Sequence, residues 1–156
     1  MVDDMRVYIA NLGKYNEGYL VGDWFSFPID EEEVAERIGL NSYYEEYAVH
    51  DTDNFPIEIG EYVSIEQLNE MYDIICELPD YITDALDEFV SHYGSLEEVY
   101  EHKDDVYFYP DCDNMLSCGH ATARKIGEQA EAKIVIGRRV LYSVERVKKY
   151  LLYLAE

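Results

Sequence analysis

Apolar positions along the chain follow two rhythms. Arg6-Val7-Tyr8-Ile9-Ala10 alternates and is rich in β-branched and aromatic side chains, which predicts a strand, and Gly13-Lys14-Tyr15-Asn16 follows as a turn region. From Asp30 the spacing becomes helical. Pro28 precedes this helix, Glu31, Glu32 and Glu33 suit its positive N-terminal dipole, Val34 and Ile38 lie four apart, and Gly39 is placed to stop it. Ser64-Ile-Glu-Gln67 opens the next helix with a capping-box pattern, and Ile65, Leu68, Tyr72, Ile75 and Leu78 make its apolar stripe up to Pro79. A third helix uses Ile82, Leu86, Phe89 and Val90. A fourth begins at Ser95-Leu-Glu-Glu98 and ends before a strand over Val106–Tyr109.

Further on, Ala121 to Ala130 reads as a helix, and Ile134-Val135-Ile136 and Val140-Leu141-Tyr142 as a hairpin around Gly137-Arg138-Arg139. Ser143 caps a last helix with Val144, Val147, Leu151 and Leu154 inward. An α+β protein is expected: an acidic body made of a three-stranded sheet with helices and then a small helical bundle, followed by a short helix-hairpin-helix tail. The corresponding segments are 1–62, 63–104 and 105–156.

A hydrophobic content of 48% over 156 residues supports real cores and argues against wholesale disorder. No stretch approaches the roughly 20 apolar residues of a membrane span, and the start MVDDMRVYIA lacks the basic end and apolar run of a signal peptide, so a cytoplasmic location without membrane contact is expected. Cys76, Cys112 and Cys118 are an odd set without a disulfide pattern, which suits free thiols in a reducing compartment.

Charge changes the picture most. There are 34 acids and 12 bases, for a net of −22. Residues 1–115 hold 30 of the acids and only Arg6, Lys14, Arg37 and Lys103, a net of −26, whereas residues 116–156 carry +4. Such asymmetry suggests two modules with different electrostatic partners. Solubility alone would account for acidity, but an ordinary solvated helix face mixes signs. Here Glu66, Glu70, Asp73 and Glu77 recur at spacings of three and four opposite the apolar stripe, as do Asp80, Asp84, Asp87 and Glu88. Side chains so spaced sit about 5 to 6 Å apart, forming rows of like charge that weaken the isolated helix. A duplex carries one charge per about 1.7 Å, so 26 uncompensated charges match about 44 Å of DNA, about a dozen base pairs.

No catalytic constellation survives inspection: the chain has no GxGxxG or Walker-type loop, no GxSxG elbow and no HExxH pair. Asp51-Thr-Asp53-Asn and Asp111-Cys-Asp113-Asn start like calcium loops but lack the glycine at the sixth place and the glutamate at the twelfth. His102, Cys112, Cys118 and His120 match no common zinc spacing. Among 34 carboxylates some pair is always close, so proximity nominates no acid and base. Neither an enzyme nor a metal or other cofactor is expected.

Val7-Tyr-Ile-Ala-Asn-Leu-Gly-Lys-Tyr-Asn-Glu-Gly18, Gly22-Asp-Trp-Phe25 and Phe27-Pro-Ile-Asp30 closely resemble the ArdA antirestriction proteins of conjugative plasmids and transposons. So do Ile38-Gly-Leu-Asn41, Glu45-Glu-Tyr-Ala-Val-His-Asp51, Leu78-Pro79 and Asp111-Cys-Asp113. The resemblance covers about residues 5–115 and is spread over several segments in the right order. It implies an elongated molecule, usually a dimer, whose acidic surface imitates bent B-form DNA and occupies type I restriction-modification enzymes. The carboxylates expected to carry this are Asp23, Glu31, Glu32, Glu33, Glu45, Glu46, Glu66, Glu70, Asp73, Glu77, Asp80, Asp84, Asp87, Glu88, Glu97, Glu98 and Glu101.

Ser117-Cys-Gly-His-Ala-Thr-Ala-Arg-Lys-Ile126, Ala132-Lys-Ile-Val-Ile-Gly-Arg-Arg-Val-Leu141 and Tyr150-Leu151 instead resemble the end of an excisionase-type winged helix-turn-helix, as if an ArdA-like front had been joined to the back of a regulator. In that reading Arg124, Lys125, Arg138 and Arg139 meet phosphates, with only weak nucleic-acid binding expected. Two functions follow: a decoy that occupies the DNA groove of a restriction-modification complex, and a mobile-element regulator whose basic tail binds DNA while its acidic body recruits a protein.

Overall fold

A computed structural model describes residues 4–108 and 119–155 of the chain and has an α+β fold with two compact units, Met1–Leu78 and Pro79–Glu156. In the first unit, β1 (Arg6–Asn11) is the central strand between β2 (Gly22–Ser26) and β3 (Tyr47–Asp53), antiparallel to both. Its alternation sends Val7 and Ile9 into the core, and a register shift between Tyr8 and Ile9 interrupts its pairing with β3. The region expected as a turn is a short helix, α1 (Leu12–Asn16). The reason is Asn11. Its buried side chain accepts from Lys14 N at 3.0 Å as the N-cap and donates to Ile38 O and Gly39 O at 3.1 and 3.2 Å, so one amide starts α1 and ties it to the end of the next helix.

That helix, α2 (Glu31–Ile38), begins where Asp30 accepts from Glu33 N at 2.8 Å and ends at Gly39 with φ +71°. Helix α3 (Ile65–Glu77) carries the full capping box between Ser64 and Gln67. Ile65 and Leu68 join Val7, Ile9, Phe25, Ile29, Val34, Ile38 and Val49 in one buried cluster, so α3 belongs to the first unit.

The second unit holds α4 (Asp80–Thr83), α5 (Leu86–Tyr93), α6 (Leu96–Glu101), β4 (Val106–Phe108), α7 (His120–Gln129), β5 (Lys133–Ile136), β6 (Arg139–Ser143) and α8 (Val144–Leu154). The single helix expected through Ile82 and Val90 is broken. Ala85 leaves helical geometry (φ −143°, ψ 36°) while its N–H closes a tight turn onto Ile82 O and its carbonyl accepts from Glu88 and Phe89 to start α5. Ile82, Leu86 and Phe89 are fully buried across the break, which is why apolar spacing does not reveal it. Tyr109, at the end of the expected fourth strand, lies outside the described residues.

The hairpin pairs with β4 in a sheet of order β4-β6-β5. Its turn is Gly137-Arg138, with Arg139 already in β6 opposite Ile136 and Gly137 at φ +56°. Asp105 then stitches α8 in place: its carboxylate accepts from Ser143 Oγ at 2.8 Å and Glu145 N at 3.0 Å, and its carbonyl from Val144 N at 2.7 Å. Val144 and Val147 are buried, Val147 in a cluster with Ala132 and Tyr142. Leu151 and Leu154, expected inward, are instead 37% and 60% exposed, because the last turns of α8 run beyond the surface that covers its start.

Candidate partner-binding surface

Local rules place the acids outward. The capping box fixes where α3 begins, and with Ile65, Leu68 and Ile75 buried, the opposite face presents Glu66, Glu70, Asp73 and Glu77, all exposed. The amide of Asn69 holds this helix against the chain entering α2, accepting from Ile29 N at 2.7 Å and donating to Ile29 O at 2.9 Å. The result is a shallow depression in the first unit lined by Glu31 of α2 with Ile65, Glu66, Asn69, Glu70 and Asp73 of α3. Spacing had shown the row along α3. That α2 adds a carboxylate to it depends on a pairing forty residues apart and has no linear signal.

The other named acids lie as follows. Glu32, Glu33, Glu45, Glu46, Asp80, Asp84, Asp87, Glu97, Glu98 and Glu101 are exposed. Asp23 and Glu88 are half-buried. Glu88 packs its carboxylate onto Gly137. Asp23 accepts from Trp24 N at 2.8 Å and from Arg37 at 2.5 Å, and these two bonds, the backbone one foremost, hold its pKa below the usual aspartate value. Arg37 also reaches Glu33 at 3.0 Å, and Glu98 lies 3.8 Å from His102. Glu66, Glu70 and Asp73 form no ion pair among the described residues.

All four bases of residues 1–115 stand over aromatic rings. Arg6 lies 5.5 Å from the Trp24 centroid, Lys14 5.5 Å from Tyr44, Arg37 4.6 Å from Phe25 and Lys103 3.5 Å from Tyr100. Arg6 also pairs with Asp53. The few cations are thus spent on structure, and sequence reasoning missed this because the longer-range partners share no periodicity.

In the tail, Arg124 pairs with Glu128 at 3.1 Å and Arg139 donates to Tyr81 O at 2.6 Å, while Lys125 and Arg138 are exposed. Among the described residues no three His, Cys, Asp or Glu side chains form a metal-binding group, and no helix is long and apolar enough to cross a membrane. Cys112, Cys118 and the Asp111–Asn114 stretch lie outside the described residues.

The sequence model of the antirestriction protein ArdA matches residues 7–153. The chain belongs to the ArdA antirestriction family. The match crosses the charge reversal and takes in the basic segment, so ArdA character extends past residue 115, where the sequence resemblance had stopped. No curated protein matches the chain. Membership in the ArdA family makes the function antirestriction, exercised on a protein partner such as a restriction enzyme.

Proposed function

We propose that this ArdA protein is a DNA mimic that occupies the DNA-binding groove of a type I restriction-modification complex, its carboxylates standing in for phosphates. The observation that carries the reading is the exposure of the acids: fifteen of the seventeen named carboxylates are exposed, Glu66, Glu70 and Asp73 form no ion pair among the described residues, and the four bases of residues 1–115 are held on rings. A basic groove that captures a duplex through its phosphates captures this surface by the same electrostatics. The tail supports the rival regulator less well, since Arg124 and Arg139 already have partners within the chain. Dimerisation, implied by the resemblance, is supported by exposed Leu151, Leu152, Tyr153 and Leu154 at the end of α8.

The test is the affinity for a type I modification complex between about 50 and about 300 mM salt, with random duplex as competitor. Binding that falls steeply with salt and excludes duplex agrees with the mimic. A salt-independent affinity sinks it, and direct binding of labelled duplex by the ArdA chain favours the regulator.

A further inference from the structure

The first unit contains three bases, Arg6, Lys14 and Arg37, and each sits over a ring with a carboxylate nearby. Arg6 has Trp24 and Asp53. Arg37 has Phe25 and Asp23. Lys14 has Tyr44, whose hydroxyl donates to Glu17 at 2.9 Å. A ring face supplies a negative quadrupole and the carboxylate a full charge, a combination that holds a cation at low desolvation cost. The rings continue beyond Tyr44. Tyr43 meets Tyr44 edge to face at 4.8 Å and is 78% exposed, and Tyr19, whose N–H donates to Lys14 O at 2.9 Å beside it, is 66% exposed. Rings this exposed contribute little to the fold, and exposed tyrosine is the residue type that anchors protein interfaces.

We infer that Tyr19, Tyr43, Tyr44 and Glu17 form a receptor for arginine side chains on the partner's DNA-binding surface, a guanidinium stacking on a tyrosine face while pairing with the carboxylate. The inference rests on the mimic reading for its occupant, which the charge of this unit favours: nineteen acids against three bases. Arginine fits better than lysine because its planar, weakly hydrated guanidinium stacks and forks at once. Affinity for the target then has two separable parts. The acidic rows supply salt-dependent attraction, and the tyrosines supply a short-range contact that selects arginine.

The experiment uses the full chain with two double variants that leave its charge unchanged, Tyr19→Leu with Tyr43→Leu, and Tyr19→Phe with Tyr43→Phe. Each is titrated with a type I modification complex and with short all-arginine and all-lysine peptides, after thermal unfolding has shown wild-type stability. The leucine pair is expected to lose about five- to tenfold in affinity for the complex, and to lose preference for the arginine peptide, with an unchanged salt slope. The phenylalanine pair is expected to keep both. Leucine variants that bind complex and arginine peptide like wild type overturn the receptor, as does a shift in molecular mass showing that the patch joins two copies of the chain. If wild type fails to bind the complex yet keeps a tyrosine-dependent arginine preference, the mimic reading falls and the receptor stands.

Discussion

The two units differ in how much of their acidity is balanced. The first carries nineteen acids and three bases, each base placed over a ring, whereas the second carries fifteen acids and nine bases. In the second, Lys103 also stands over a ring, but Arg124 and Lys149 lie on helix faces beside carboxylates four residues away, in Arg124–Glu128 and Glu145–Lys149, and Arg139 and Arg146 donate to main-chain carbonyls. The sign reversal near residue 115 falls inside the second unit. There β4, from the acidic stretch, pairs with β6 from the basic stretch, and Asp105 caps α8. Charge along a chain records what its surface meets, while hydrogen bonding and apolar packing record what folds together. The two borders differ here.

The largest effect should come from breaking the strand that joins acidic to basic stretch. Leu141 of β6 is fully buried, and Leu141→Ala is expected to cost about 2 to 5 kcal/mol, read from urea unfolding. A cost under about 1 kcal/mol would mean that the basic segment is an appendage and not part of the second unit's core. Next comes the surface itself. Neutralising Glu66, Glu70, Asp73 and Glu77 together should weaken inhibition well over tenfold, while Glu70→Gln alone changes it little, because one exposed charge is a small part of a distributed field. Replacing Arg124, Lys125 and Arg138 by alanine should leave inhibition unchanged. Loss of inhibition there would move function into the basic segment.

Much of this contrast was legible in the sequence, for physical reasons that differ by element. Asp30, Ser64, Ser95 and Ser143 announce their helices because a cap acts through a backbone N–H three residues on. The acid row of α3 was legible for the same reason, as spacing alone sets which side chains share a helix face. Long-range choices were hidden. Asn11 tying the start of α1 to the end of α2, Asp105 capping α8, and Glu31 meeting the α3 row all depend on partners more than twenty-five residues away. The exposed end of α8 was misread because periodicity shows which residues share a face and not whether anything covers it.

Asn69 offers a finer probe of how the first unit aims its charge. Asn69→Ala removes both bonds to Ile29 and leaves that residue's partly buried N–H and carbonyl without these partners, at an expected cost of about 1 to 3 kcal/mol. It also frees Glu31 from its register with Glu66 and Glu70. Inhibition measured under conditions where the variant stays folded should therefore fall a few-fold although no charge has changed. Wild-type inhibition in a correctly folded variant would mean that the relative placement of α2 and α3 is irrelevant and only total charge counts.

The smallest effect separates a structural acid from those proposed to face the partner. Asp23 is held below its usual pKa by Trp24 N–H and Arg37, so its contribution to stability is fully present above the unfolded value of about 3.9 and is lost as pH falls through the lower folded value. Over the same range the remaining carboxylates behave differently as a group: protonating them relieves self-repulsion in a chain of net charge −22. Unfolding wild type and Asp23→Asn side by side from about pH 7 to about pH 3 isolates the pair, because the shared relief cancels in the difference. Wild type should be the more stable at neutral pH, and the gap should close only once the pH drops below the ordinary aspartate range. Asp23→Asn should also inhibit nearly as well as wild type at neutral pH, since its charge already belongs to Arg37. A gap that stayed constant to the acid end would show that Asp23 matters through shape and not through its charge, and a large loss of inhibition would return it to the surface that meets the partner.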